Sequence, residues 1–156
     1  MTASPQVVAL RCGEATLGVG IERVREIVMV PEITPVPESG EFIRGIINLR
    51  GRILPVLDLG LRLGLARGPD DRSGRILVVE QDRERLLGLL VDEASEVLRV
   101  PDGRLLPPPE LSNGPLGASV SHVARLDDRL ILLLDLERVL NVEGARAVPR
   151  EAALLS

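Results

Sequence analysis

The chain has 156 residues, a formal net charge of −4 at pH 7, 45% hydrophobic residues and 27% charged residues. This composition is typical of a soluble globular protein with one domain, or with two small lobes that share a core. One Phe and no Trp or Tyr leave almost no rings for base stacking, and the acidic balance suits no phosphate backbone, so both features argue against nucleic-acid binding.

The first half of the chain predicts two β-hairpins with a short helix between them. Each hairpin consists of two apolar runs around a short Gly-containing turn, and the pairs are 7–11 with 16–21 and 45–49 with 52–59. Residues 22–28 place Val24, Ile27 and Val28 at helical spacing, which predicts the short helix. Prolines then predict an extended connector at 31–37.

The second half follows the same order after a polar, Gly-rich loop at 64–74, which we interpret as the seam. Its predicted hairpins are 75–80 with 85–91 and 120–126 with 129–136. Residues 92–98 fit a short helix or a continued strand, and 101–117 is a proline-rich crossing. A helical turn is expected at 137–140, and the sequence does not decide the structure of the tail at 144–156.

The two halves align with each other as an internal repeat. Residues 17–28 match 87–98 at an offset of 70, and residues 52–59 match 129–136 at an offset of 77. We therefore expect a single domain over 1–156 that contains two β-rich subdomains side by side, with the first repeat at 7–65 and the second at 75–142. Many short strands with Pro/Gly connectors favour barrel-like folding. An aliphatic groove where the subdomains meet is the expected place for a partner to bind.

Little in the sequence points to catalysis. His122 is the sole histidine and Cys12 the sole cysteine, which excludes His-pair and thiolate-cluster metal sites and an internal disulfide. Asp58, Asp92 and Asp135 each close an apolar run, so capping of the following turn is the favoured role. The alternative is an enzyme in which Asp58 and Asp135 face each other as acid and base. We expect no enzyme activity, cofactor, metal or small-molecule substrate.

The same reasoning predicts where the protein resides. The lone cysteine suits a reducing cytoplasm, and residues 1–6 lack the basic and apolar regions of a signal peptide. No uncharged apolar run approaches the ~18 residues that a membrane span needs, so direct membrane insertion is not expected.

The repeats disagree at one turn. Arg50-Gly51 in the first repeat aligns with Asp127-Asp128 in the second, and this change of sign suggests a specific task for Arg50. Glu26 could form a carboxylate–guanidinium pair with Arg50 that locks the predicted helix to the hairpin. The alternative is an ordinary solvated turn arginine.

With these motifs the chain resembles the CheW-type chemotaxis coupling proteins. The resemblance runs from about Val7 to Leu140 and is carried by four segments in the family's order, 24–27, 45–51, 88–92 and 132–137. It implies two SH3-like, five-stranded β-barrels packed together, with short helices. It also implies a non-catalytic signalling adaptor that couples chemoreceptors to a CheA-type histidine kinase in a two-component pathway.

The resemblance further implies two binding sites. The site for the cytoplasmic tip of a methyl-accepting chemoreceptor would lie in the groove and include Ile21, Glu26, Arg50, Ile53 and Ile76. The site for the kinase's regulatory domain would include Ile33, Arg44 and Gly45. For each groove isoleucine, ordinary core packing is the alternative. The protein would be cytoplasmic and recruited to receptor arrays at the inner membrane.

Two departures from the family pattern lie in the second repeat. His122 stands where the family usually has glycine, and residues 117–119 lack the usual aromatic approach. These departures put the second subdomain's contact with the kinase in doubt. They motivate an alternative function, a divergent CheW-like regulator that has lost one of its two partners.

Overall fold

The computed structural model of the chain describes residues 5–82, 84–108, 110 and 114–141. The tail at 144–156 and part of the proline-rich crossing therefore lie outside the described residues. The strands are β1 (Gln6–Cys12), β2 (Ala15–Gly20), β3 (Val24–Met29), β4 (Ile43–Leu49), β5 (Arg52–Asp58), β6 (Arg75–Glu80), β7 (Leu86–Val91), β8 (Glu93–Arg99), β9 (Leu105–Leu106), β10 (Val120–Leu126) and β11 (Arg129–Leu134). The helices are α1 (Leu59–Arg62), α2 (Pro115–Ser119) and α3 (Leu136–Leu140). The predicted mainly-β fold with short helices is confirmed.

All four predicted hairpins are present. β1 pairs antiparallel with β2, β4 with β5, β6 with β7, and β10 with β11. The central four residues of β6 are all buried, because this strand lies inside its sheet and has apolar neighbours on both faces. The strand alternative for 92–98 is also confirmed, since β8 pairs antiparallel with β1.

The predicted helix at 22–28 is wrong. A single 3-10 turn, Ile21–Arg23, leads directly into β3, which pairs antiparallel with β6. The register shifts between Val24 and Glu26, where a β-bulge adds one residue to β3. A bulge changes the alternation of side chains along a strand. Apolar residues at positions 24, 27 and 28 therefore imitate helical spacing, although they lie on two faces of a strand.

The strands form two sheets. One has five strands in the order β3-β6-β7-β5-β4, and the other has six in the order β8-β1-β2-β11-β10-β9. The sixth strand, β9, has only two residues, so the six-stranded sheet is the expected five-stranded unit with a short addition.

The sheets do not coincide with the repeats, which corrects the expectation that each repeat builds its own subdomain. The hairpin β1–β2 of the first repeat lies in the six-stranded sheet, and the hairpin β6–β7 of the second lies in the five-stranded sheet. Each exchanged hairpin joins its host sheet through a parallel pair, β2 with β11 and β7 with β5.

The repeat itself is evident in the pairing. Val56 pairs with Gly88 in one sheet, and Leu133 pairs with Gly18 at the equivalent place in the other. The connector residue Thr34 forms a bridge with β4, and Leu106 of β9 pairs with the matching strand β10. The two sheets are therefore built on one plan.

The two sheets pack against each other through the largest buried cluster. Its members come from both sheets and include Val8 and Leu17 on one side and Leu77 and Leu89 on the other. A second cluster lies within the five-stranded sheet around Ile47 and a third within the six-stranded sheet.

One buried arginine also joins the two halves of the structure. The Arg62 guanidinium in α1 donates to the carbonyls of Val139 at 2.7 Å and Arg138 at 2.9 Å, which belong to α3. Burial lowers the pKa of Arg62 below its usual value. The bond satisfies carbonyls of α3 and ties it to the opposite sheet.

Candidate protein-binding surfaces

Glu26 and Arg50 form the predicted ion pair. Arg50 lies in the turn between β4 and β5 with a positive φ of 52°, and the Asn48 side chain accepts a bond from the Gly51 amide at 2.9 Å in the same turn. The Arg50 Nη2 donates to Glu26 Oε2. Because Glu26 lies on β3, the pair joins the two edge strands of the five-stranded sheet, β3 and β4, rather than a helix and a hairpin.

Three exposed aliphatic side chains lie on the strands that adjoin this pair: Ile27 and Met29 follow Glu26 along β3, and Ile53 follows the Arg50 turn on β5. Met29 is 72% exposed and Ile53 is 57% exposed. Ile27 lies opposite Leu77, and Ile53 lies on the same face of β5 as Leu57; both leucines pack into the cluster between the sheets. The exposed side chains therefore continue the face that is directed towards the other sheet. We call Ile27, Met29, Ile53 and the Glu26–Arg50 pair the aliphatic surface.

Sequence reasoning missed Ile27 and Met29. No local pattern in the sequence marks them as exposed, because their exposure follows from the alternation of faces along β3 in the assembled sheet. Met29 sits at the end of an edge strand, where an unbranched thioether can adapt to different partners.

Ile76 is fully buried, which corrects its assignment as a groove residue. It is the second residue of β6 and lies between Val28 of β3 and Leu90 of β7, within the core of the five-stranded sheet. Its side chain supports the sheet and cannot touch a partner directly. Ile21 is half-buried and packs against the cluster between the sheets, so only part of its side chain is accessible.

The six-stranded sheet has a similar Glu–Arg pair, although its arginine, Arg129, is the repeat equivalent of Arg52 rather than of Arg50. Arg129 Nη1 donates to Glu96 Oε1 at 2.8 Å, and Glu96 is the repeat equivalent of Glu26. Val97 is exposed beside this pair and Leu130 is 60% exposed. In this sheet the charged turn residues are Asp127 and Asp128 instead of Arg50 and Gly51.

Two of the residues expected at the kinase-facing site, Arg44 and Gly45, lie near the start of β4. Arg44 is only 13% exposed in its side chain and contacts Asp58 Oδ2 at 2.9 Å and Asp70 Oδ1 at 2.7 Å. Gly45 has a φ of 146°, and a Cβ atom there would lie 2.2 Å from the Thr34 carbonyl oxygen. Most of Arg44, and all of Gly45, is therefore engaged in internal structure.

An open cleft lies beside these residues. It has a volume of about 510 Å³. The residues that line the cleft come from the connector after β3, from β4, from α1 and from the 64–74 loop. They include the half-buried Ile33, the third residue expected at the kinase-facing site.

The three aspartates that end apolar runs have structural roles. Asp58 accepts a bond from the Leu61 amide at the start of α1, and Asp135 accepts from the Glu137 and Arg138 amides at the start of α3, so the capping prediction is confirmed for both. Asp92 instead accepts from the Gly13 amide at 2.7 Å and so caps the β1–β2 turn.

The remaining reactive groups do not converge. Cys12 is buried, and desolvation and the nearby Asp92 carboxylate raise the pKa of its thiol to about 12, so the nucleophilic thiolate is disfavoured. His122 is exposed on β10 and contacts only the Ser121 hydroxyl at 3.2 Å. Within the described ranges, no three His, Cys, Asp or Glu side chains are arranged to hold a metal ion. Likewise, none of the helices in the part of the chain that the structure describes has the length and apolar character needed to cross a membrane.

Comparison with known proteins finds relatives over nearly the whole chain. The model of the CheW-like domain family matches residues 6–144. The chain is 35% identical over 142 residues to the probable chemotaxis protein CheW of Rhizobium etli, covering 91% of each chain. It is also 35% identical over 150 residues to protein FrzA of Myxococcus xanthus, covering 90% of this chain and 88% of that one.

A solved structure is similar across the whole fold. The crystal structure of the scaffolding protein TtCheW from Thermoanaerobacter tengcongensis superposes with a TM-score of 0.80 at 34% sequence identity, covering 93% of this chain and 98% of that chain. With the family model, the relatives and the fold in agreement, the chain belongs to the CheW-like domain family, a family of chemotaxis scaffolding proteins.

Proposed function

We propose that this chain is a non-catalytic adaptor that couples chemoreceptors to a CheA-type histidine kinase. The observation that carries the proposal is the aliphatic surface, where exposed Ile27 and Met29 follow Glu26 along β3 and exposed Ile53 follows the Arg50 turn on β5. Exposed apolar side chains grouped around a charged pair suit a protein partner rather than a small substrate.

The receptor's cytoplasmic tip would bind at the aliphatic surface. An amphipathic helical hairpin can lay its apolar face along Ile27, Met29 and Ile53, in the helix-in-groove mode. Arg50 is 67% exposed even while paired, so its remaining N–H groups can donate to the receptor backbone while Glu26 fixes its direction. Ile76 contributes only by supporting β3 from within the sheet.

The kinase's regulatory domain would bind at the cleft beside β4. Ile33 offers apolar contact there, and Gly45 allows the connector to approach β4 closely through the Thr34–Ile46 bridge. The two partners would thus occupy separate surfaces of the five-stranded sheet, as a coupling protein requires. Recruitment to receptor arrays at the membrane would follow from the receptor contact.

The receptor contact is tested with a purified receptor-tip fragment and two variants, Arg50→Ala and Ile53→Glu. Both variants should remain folded by circular dichroism, because both side chains are exposed, and both should lose receptor binding in pull-down and calorimetry. Leu130→Glu is the matched control, since Leu130 is the repeat equivalent of Ile53 and equally exposed. Unchanged receptor binding by both folded variants would contradict the proposal.

Titration of the kinase's regulatory domain separates the adaptor from the divergent regulator. Saturable binding in the micromolar range supports an adaptor with two partners. Receptor binding without kinase binding would favour a CheW-like regulator that has lost one partner.

A further inference from the structure

Arg44 presents little to a partner, because its guanidinium is already engaged. Nη1 donates to Asp58 Oδ2 at 2.9 Å and to the Gly68 carbonyl at 3.2 Å. Nη2 donates to Asp70 Oδ1 at 2.7 Å and to the Pro69 carbonyl at 3.2 Å. One arginine therefore fastens three consecutive loop residues to β4.

Asp58 holds the same loop from the other side. Its carboxylate is fully buried and accepts from the Gly68 amide at 3.1 and 3.0 Å, from the Leu61 amide at 3.1 Å and from Arg44. A buried carboxylate with this many donors sits in one place. Residues 68–70 are therefore pinned by both partners of a nearly desolvated ion pair.

The pinned loop forms one wall of the cleft. The opposite wall is the connector after β3, and the floor is apolar, formed by Val30, Ile33, Ile43 and Leu61. A volume of about 510 Å³ accommodates a protruding apolar side chain and its neighbours. If the loop moved away from β4, this wall would be lost while the floor remained.

The rim of the cleft carries an excess of free acidic groups. Among the described lining residues, Glu32 and Glu41 have no hydrogen bond or ion pair, and Arg72 is the one basic side chain without either. Asp70 is neutralised by Arg44 and Arg67, and Asp71 accepts from the Ser73 amide. A basic group on a partner would meet both free carboxylates.

We infer that Arg44 is a positioning residue that shapes this cleft, and that the cleft receives an apolar side chain of the kinase's regulatory domain that has a basic residue beside it. This inference rests on the proposed function and deepens it, because it assigns the contact with the kinase to the loop and the connector that line the cleft, and not to Arg44 itself. The apolar floor accounts for the apolar side chain, and the free Glu32 and Glu41 account for the basic neighbour.

The positioning role is tested by titrating the purified regulatory domain against Arg44→Lys, Asp70→Ala and the double variant. A lysine keeps the charge but cannot reach several acceptors at once. We expect each single variant to bind at least about tenfold more weakly, the loss of one good contact, and the double variant to bind no more weakly than the worse single variant. Arg129→Ala, which breaks a similar pair on the other sheet, is the control and should bind like wild type.

Hydrogen exchange supplies a readout that a direct contact would not move. In Arg44→Lys without any partner, amides of the 64–74 loop, and that of Gly68 above all, should exchange faster than in wild type. If the losses of binding affinity multiply in the double variant while amide exchange in the 64–74 loop is unchanged, Arg44 is a contact residue and the inference is overturned. Asp70 is exposed, so Asp70→Ala remains informative even if an Arg44 variant is unstable.

The chemistry of the occupant is tested by Glu32→Arg with Glu41→Arg and, separately, by Ile33→Asp. Both should weaken binding at least about tenfold, and the loss from charge reversal should shrink at high salt. Unchanged or tighter binding after charge reversal would overturn the basic neighbour, and unchanged binding by Ile33→Asp would overturn the apolar occupant. Failure of wild type to bind the regulatory domain would overturn the proposed function as well, whereas wild-type binding with unaffected variants would overturn the inference alone.

Discussion

The five-stranded and six-stranded sheets share one plan and differ in what they attach to it. The turn between β4 and β5 and the equivalent turn between β10 and β11 each contain a residue with positive φ, Arg50 at 52° and Asp127 at 53°. Both sheets also hold a Glu–Arg pair next to exposed aliphatic residues. The backbone geometry has been kept, while the charge at the turn has changed sign, so the duplicated scaffold supports two different surfaces.

The two sheets differ most in the contacts made near the start of β4 and of its repeat equivalent, β10. Arg44 fastens a loop in the five-stranded sheet, whereas the hydroxyl of its repeat equivalent Ser121 contacts only the Leu133 carbonyl at 3.3 Å and the neighbouring His122 ring at 3.2 Å. Asp58 is correspondingly buried among charged and backbone donors, while Asp135 is a partly exposed helix cap. The cleft belongs to the five-stranded sheet for this reason.

The largest expected effect compares these two aspartates. Asp58→Ala should lower the free energy of unfolding by about 3–5 kcal/mol, because it removes the buried carboxylate that accepts from Arg44 and from the Gly68 and Leu61 amides. Asp135→Ala should cost about 1 kcal/mol, the usual value of a helix cap. Urea denaturation of both variants checks the ratio, and equal losses would show that the two sheets are held in the same way.

An intermediate effect compares Gly45 with His122, its equivalent in the second repeat. Gly45→Ala should lose about 1–3 kcal/mol, because the new methyl would overlap the Thr34 carbonyl and force the connector to shift. His122 is not among the described residues with positive φ, so a side chain fits there, and His122→Gly should cost only about 0.5–1 kcal/mol through added chain entropy. Thermal unfolding monitored by circular dichroism measures both, and the reverse order would contradict this account of His122.

The smallest expected effect concerns the two Glu–Arg pairs. Double-mutant cycles on Glu26–Arg50 and on Glu96–Arg129 should each give a coupling of at most about 1 kcal/mol, because both pairs are solvent-exposed. The coupling should fall in 1 M salt. A much larger value for Glu26–Arg50 would mean that Arg50 mainly braces the sheet, and loss of receptor binding in Arg50→Ala would then need no direct contact.

Much of the fold was predictable because hairpins are local. Alternating or continuous apolar runs around Gly turns specify β1–β2, β4–β5, β6–β7 and β10–β11 without reference to the rest of the chain. The exchange of hairpins between repeats was not predictable in this way. It depends on which strands meet after folding, and identical local patterns are compatible with either arrangement.

The candidate site was predictable only in part, because burial is a property of the assembled sheet. Ile53 and Ile76 look alike in sequence, yet one is at the exposed start of β5 and the other is in the centre of a sheet. The Glu26–Arg50 pair was predicted and is present, but on a strand whose bulge imitates a helix. The engagement of Arg44 depends on a loop more than 20 residues away, at Gly68–Asp70, which no local pattern indicates.

The exchanged hairpins make the two halves interdependent. A protease cut within 64–74 would leave one fragment with β1–β5 and the other with β6–β11, so β5 would lose β7 and β2 would lose β11. Neither fragment could complete a sheet alone, but the two together could rebuild both. Local unfolding that starts in one sheet must therefore destabilise the other sheet, and the scaffold is expected to unfold as a single cooperative unit.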